Sequence, residues 1–138
     1  MKYTVKFKKP DPPGYNRLRN SVGWSVIRSP KAVKGILRKS LFWVTVYDSG
    51  KLIGMGRIIG DGSYAFYIQD VIVLPEYQGQ GLGRLIMDHV MGYFKKKGIK
   101  QANIGLMAKK GVEPFYQKYG FMFRPDDNLG AGMNQFLK

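Results

Sequence analysis

The chain has 138 residues, room for one domain with a core of its own, and 44% of them are hydrophobic, a globular rather than a disordered composition. It contains no cysteine, which excludes disulfides, thiolate metal sites and a cysteine nucleophile, and it is compatible with a reducing compartment. Lys and Arg number 23 against 9 Asp and Glu, a net charge of +14 whose field attracts nucleic acid, an anionic membrane surface or a polyphosphorylated cofactor, or simply solvates the surface.

The first 47 residues hold eleven basic side chains, with Asp11 as their single acid. Met1–Pro10 lacks the apolar stretch of a signal peptide, and no run is long enough to span a bilayer, so a soluble, cytoplasmic protein is expected. Lys2–Phe7 alternates in part and reads as a first strand, broken by a tight loop at Pro10–Gly14. Tyr15–Trp24 fits a short helix ending near Gly23 without requiring one. Ser29-Pro30 is a helix start, a serine cap before a proline, and Ala32, Val33, Ile36 and Leu37 share one face of the helix that follows.

Three strands come next. Leu41–Tyr47 is rich in β-branched and aromatic residues; the turn Asp48–Lys51 leads to Leu52–Ile59; the turn Gly60–Ser63 leads to Tyr64–Leu74, which Pro75 ends. Gly81–Lys97 is the clearest helix, with Leu82, Leu85, Ile86, His89, Val90, Tyr93 and Phe94 on one face and Lys95–Lys97 where cations suit the helix dipole. Gln101–Met107 reads as a strand, Val112–Tyr119 as a short helix, and Phe121–Phe123 and Met133–Leu137 as closing strands. This order predicts an α/β or α+β fold with a mixed sheet in a single domain, 1–138.

The chemistry concentrates in Asp70–Arg84, where an apolar strand runs into the glycine-rich turn Gln78-Gly79-Gln80-Gly81-Leu82-Gly83 and then a long helix. Glycines permit close ligand approach, and the free N–H groups at a helix start favour an anion, so a diphosphate is the natural guest. The spacing is not G-x-G-x-x-G, and Gly83-Arg84-Leu85 lacks the Lys-Ser/Thr of a P-loop. A ligand-free glycine turn is the plain alternative.

Gln78–Gly83 resembles the Q/R-x-x-G-x-G/A motif of the GNAT acetyltransferase superfamily, and Pro114–Phe121 resembles its F-Y-x-x-x-G-F segment, in the same order; the likeness covers about residues 41–123. Val22-Gly23-Trp24 and the strand around Asp70 are similar, more thinly, to the arylalkylamine and serotonin acetyltransferase subgroup. The resemblance implies a twisted mixed sheet flanked by helices, with acetyl-CoA in a cleft where the Tyr64–Leu74 strand splays from Gln101–Met107. Backbone near Ile72, Val73 and Leu74 would pair with the pantetheine arm, and Gln78, Gly79, Gln80, Gly81, Leu82, Gly83 and Arg84 would hold the pyrophosphate. Tyr116 matches the tyrosine that protonates the departing thiolate, with sulfur hydrogen bonding or surface packing as its alternatives. Asp70 is a candidate base or ammonium anchor, or a carboxylate with a structural hydrogen bond only. Where many members carry asparagine, this chain has Ala108-Lys109-Lys110, and Lys109 is placed to reach a CoA phosphate.

Trp24, Tyr64 and Asp70 are the acceptor-contact candidates. His89 reads as a core or boundary residue and Asp126-Asp127 as a loop, with a hold on a cationic amine as its alternative; no metal site is expected. The expected function is acetyl transfer from acetyl-CoA to the primary amine of a small molecule in a ternary complex, with a homodimer allowed and no membrane partner. The alternative is a basic module for nucleic acid or the ribosome, using acetyl-CoA only as a structural ligand and Lys6, Lys8, Lys9, Arg17, Arg19, Arg28, Lys31, Lys34, Arg38 and Lys39 as its patch.

Overall fold

The computed structural model describes residues 2–138. The chain divides into two compact units, the first ending at Gly105 and the second running Leu106–Lys138.

The first unit is built on a five-stranded sheet in the order β1 (Thr4–Lys6), β2 (Phe42–Asp48), β3 (Lys51–Gly60), β4 (Ala65–Val73), β5 (Asn103–Gly105). All neighbours are antiparallel except β4 and β5, which run parallel, so the sheet is mixed, as expected. The β2–β3 turn places Ser49 at φ 48° and Gly50 at φ 86°, the two positive angles that suit the twist of a two-residue hairpin.

Helix α1 (Pro12–Ser21) begins inside the stretch read from sequence as a loop. Asp11 caps it by accepting from the Gly14 N–H at 3.1 Å, and the prolines need no hydrogen bond in a first helical turn, so Asp-Pro-Pro starts a helix rather than breaking the chain. Helix α2 (Pro30–Lys39) starts on the Ser29 cap as expected.

Helix α3 (Leu82–Lys96) buries Leu82, Ile86, Met87, Val90 and Phe94. It seats against β3 because Gly54 and Gly56 have no side chains there: a Cβ on Gly56 would stand 2.8 Å from the Ile86 Cγ2 methyl. The opposite face of the sheet meets α1, which buries Tyr15 and Leu18.

The second unit contains one helix, α4 (Glu113–Gln117). Phe121–Phe123 and Met133–Leu137, expected as strands, are not strands. Met122, Phe123, Met133, Phe136 and Leu137 are all more than half exposed, and short apolar runs form strands only when a neighbour takes their backbone bonds and covers a face. Among the described residues no helix is long and apolar enough to cross a membrane.

Candidate active site and family membership

β4 carries the first half of the site. Its parallel pairing with β5 covers Ala65–Tyr67 against Asn103–Gly105 and stops there, while its pairing with β3 continues to Val73. The β5-side edge of Ile68–Val73 is therefore open within the sheet. The Leu74 N–H donates to the Ile53 carbonyl at 2.9 Å, so Ile72 and Leu74 turn their backbone groups toward β3. Strand alternation then aims the backbone of Val71 and Val73 at the open edge. Of the three residues expected to meet a pantetheine arm, only Val73 faces it. Val71, which the sequence reading did not name, turns its backbone the same way.

A bulge sits at Asp70, where β4 gains one residue on β3 between the pairs Met55–Ile72 and Arg57–Gln69. Asp70 adopts φ 57°, a left-handed conformation that aspartate tolerates better than most side chains. Gln69 and Asp70 consequently share the face that meets α1.

The Asp70 carboxylate is buried and fully engaged. Oδ2 accepts from the Tyr15 hydroxyl at 2.6 Å and from Arg57 Nε at 2.8 Å; Oδ1 accepts from Arg19 Nη1 at 2.9 Å and Gln69 Nε2 at 3.3 Å. Tyr15, Arg19 and Arg57 were not among the sequence candidates for this site, since nothing in their spacing ties α1 and β3 to residue 70. Trp24, half-buried, lies with its ring 5.4 Å from the Arg19 guanidinium, and Trp43 with its ring 5.9 Å from that of Arg57. Tyr64 is more than half exposed at the start of β4, where its carbonyl accepts from Asn103 N–H.

The second half of the site is the turn into α3. A single 3-10 turn, Pro75–Tyr77, follows β4, and Gln78 folds back so that its Nε2 donates to the Val73 carbonyl at 2.9 Å. Gly79 and Gly81 stand at φ 80° and 83°, angles that let the chain reverse directly into the helix. Gly81 is the N-cap and offers no capping side chain, and the first intrahelical bond from this cap runs from Leu85 N–H to the Gly81 carbonyl. The N–H groups of Leu82 and Gly83 precede the first intrahelical bond and gather at the positive end of the helix. The donors suit a diphosphate.

The turn is braced from β1 and β2. Tyr3 donates its hydroxyl to the Gln80 side chain and packs edge-on against Tyr77, which donates to Asp48 at 2.7 Å. That hydrogen bond to Asp48 pushes the Tyr77 phenol up to about 12, while burial and then the Asp70 charge push Tyr15 up to about 12. Both phenols are raised above their ordinary value of about 10, so what they add to stability is complete below pH ~10 and is lost as pH rises through about 12. In a spectrophotometric titration of tyrosinate, Tyr15 and Tyr77 are expected to ionise near pH 12, together with loss of structure by circular dichroism.

Tyr116 lies in the second unit, on α4. Burial raises its phenol above the ordinary value, so it stays protonated at neutral pH. Its ring packs edge-on against Phe115 and Phe121. Lys109 is exposed, His89 is half-buried with Phe7 packed against its ring, and Asp126 caps its own turn through the Asn128 and Leu129 N–H groups. Among the described residues no group of His, Cys, Asp and Glu is placed to hold a metal ion.

Residues 20–134 match the model of the acetyltransferase (GNAT) domain, a span that runs through both units. An uncharacterized N-acetyltransferase ycf52-like protein of Prochlorococcus marinus is 40% identical over 120 residues, covering 83% of this chain and 64% of the relative. A rice protein named serotonin N-acetyltransferase 2, chloroplastic, is 37% identical over 79 residues, 57% of this chain and 38% of its own length. The chain thus spans less than two thirds of the curated relatives it matches first. Among solved structures, a probable acetyltransferase of unknown function from meticillin-resistant Staphylococcus aureus superposes with a TM-score of 0.86 at 38% identity, covering 98% of this chain and 99% of that one. With the domain match over most of its length, a mixed sheet open along β4 and a glycine turn at the start of α3, the chain belongs to the GNAT acetyltransferase family.

Proposed function

We propose that this chain transfers the acetyl group of acetyl-CoA to the primary amine of a small molecule, acting as a single domain over residues 1–138 in the cytoplasm. The observation that carries the proposal is the pairing of an open β4 edge, along which the backbone of Val71 and the N–H of Val73 lie, with the N–H groups of Leu82 and Gly83 at the uncapped start of α3. The first suits the amides of a pantetheine arm, the second a pyrophosphate. Gln78, Gly79, Gln80 and Gly81 shape the turn, and Lys109 supplies charge for a further CoA phosphate.

The neutral amine attacks the thioester carbonyl. A nitrogen–carbon bond forms, a backbone N–H of the β4 edge stabilises the oxyanion, and the carbon–sulfur bond breaks as the tetrahedral adduct collapses. The Tyr116 phenol gives its proton to the departing thiolate, and the proton lost by the amine passes to water, which returns one to the Tyr116 phenolate. Asp70 serves as a positioning residue rather than as the base: four donors on its two oxygens leave it committed to holding the bulge.

Tyr116→Phe is expected to lower kcat about a hundredfold, the usual scale for loss of a general acid, with acetyl-CoA affinity unchanged. Coenzyme thiol release against a panel of primary amines reads the first, with the acetylated product confirmed by mass, and calorimetric titration reads the second. Failure of the wild type to bind acetyl-CoA at all would overturn the proposal.

A further inference from the structure

The cluster around Asp70 carries more positive charge than its own structure needs. Two guanidiniums, Arg19 and Arg57, stand on opposite oxygens of one carboxylate, so two cations face one anion. Tyr15 and Gln69 add no charge at neutral pH, and the surplus is one positive unit. Arg19 also gives Nε to the Ser25 carbonyl, and Arg57 gives Nη1 to the Ser40 hydroxyl. The Nη2 atom of each guanidinium takes part in none of these bonds. Among the described residues no buried side-chain nitrogen or oxygen lacks a partner, so the unused donors belong to the 13% and 11% of these side chains that water reaches.

The placement matters as much as the charge. Asp70 lies between Tyr67, where β4 leaves β5, and Val73, so the cluster borders the open edge. Trp24 and Trp43 cover the two guanidiniums from the side. Three of the other carboxylates of the first unit are engaged elsewhere. Asp11 caps α1, Asp48 accepts from Tyr77, and Asp61 accepts from three backbone N–H groups of its turn. Asp88 is on α3, across the sheet from the cluster, which leaves the exposed Glu76 as the carboxylate nearest the open edge in sequence.

We propose, on the basis of the acetyl-transfer reading above, that the acceptor carries an anionic group, a carboxylate or a phosphate monoester, which Arg19 and Arg57 hold through their free donors. Planar guanidiniums with paired N–H groups match either anion. The same surplus charge disfavours a protonated ammonium beside it and so favours the neutral amine that attacks. Polyamines and other polycations are rejected.

The test uses matched primary amines on the whole chain: propylamine, β-alanine and 1,3-diaminopropane, then ethanolamine and O-phosphoethanolamine. The two pairs separate carboxylate from phosphate as the anion. In thiol release, the preferred anionic amine is expected to exceed its neutral partner in kcat/KM by about tenfold or more, with the diamine lowest. Arg19→Gln is expected to erase that ratio and Arg19→Lys to keep part of it. Trp24 and Trp43 are the two tryptophans of the chain, so fluorescence titration reads occupancy without turnover. The anionic amine is expected to change their emission, with a dissociation constant that rises with salt and in Arg19→Gln. Equal or reversed preference in both measurements overturns the inference while leaving acetyl transfer intact. Loss of acetyl-CoA binding would instead strike the acetyl-transfer reading itself.

Discussion

Replacing Asp70 with alanine is expected to destabilise the protein by about 3–5 kcal/mol, the range for removing one partner of a buried ion pair. Its carboxylate is 1% exposed as a residue and answers two guanidiniums and a phenol. Without it, Arg19 and Arg57 keep their positive charge in a site where neither is more than 13% exposed, and they repel each other. Alanine also tolerates φ 57° less well than aspartate does, so the bulge itself is strained. Asp70→Asn separates the two effects: it keeps the left-handed conformation but loses the charge, and it should fall between alanine and wild type. Urea midpoints read the stability. Acetyl-CoA affinity should weaken in step with loss of the bulge, because Val71 and Val73 aim at the open edge only while it persists. An Asp70→Ala protein as stable as wild type would mean that the ion pairs do not hold the bulge.

The elements and the glycine turn before α3 were legible in the sequence because both are local. Hairpin turns, the Ser29 cap, the apolar face of α3 and the glycines before it are written in neighbouring residues, and the structure places them within a residue or two of expectation. The surroundings of Asp70 were not legible. They join α1, β3 and β4 over sequence separations of 13 to 55 residues, and they depend on a bulge that shifts which side chains share a face. Asp70 could be picked out as chemically interesting, but whether it was free or committed rested on partners that no local pattern names. The terminal strands failed for the opposite reason: Phe121–Phe123 and Met133–Leu137 have local strand character, and a strand is settled by what pairs with it.

Gly60 is the second position where one substitution carries a large effect. It closes β3 at φ 148°, paired with Phe66 as the chain turns toward β4. A Cβ there would stand 2.2 Å from the Ala65 carbonyl oxygen and 2.9 Å from the Phe66 Cα, both backbone atoms that no rotamer change can move. The turn has little slack on the other side. Asp61 donates its N–H to the Ala65 carbonyl, and its side chain accepts from the N–H groups of Ser63, Tyr64 and Ala65. Those bonds hold the Asp61 carboxyl below its ordinary range. Gly60→Ala therefore forces the hairpin to open, and its expected cost is about 4 kcal/mol, combining backbone strain with lost pairing at the start of β4. Gly62→Ala serves as the control: it also has positive φ, at 83°, but its Cβ would meet nothing within 4 Å, so about 1 kcal/mol is expected. The hairpin matters to the site because β4 pairs with β5 only at Ala65–Tyr67, immediately after the turn. If that short ladder loosens, the position at which the open edge begins is no longer fixed, and acetyl-CoA binding should weaken along with stability. Equal urea midpoints for the two glycine variants would show that the hairpin absorbs the clash and that the ladder, not the turn, sets where β4 parts from β5.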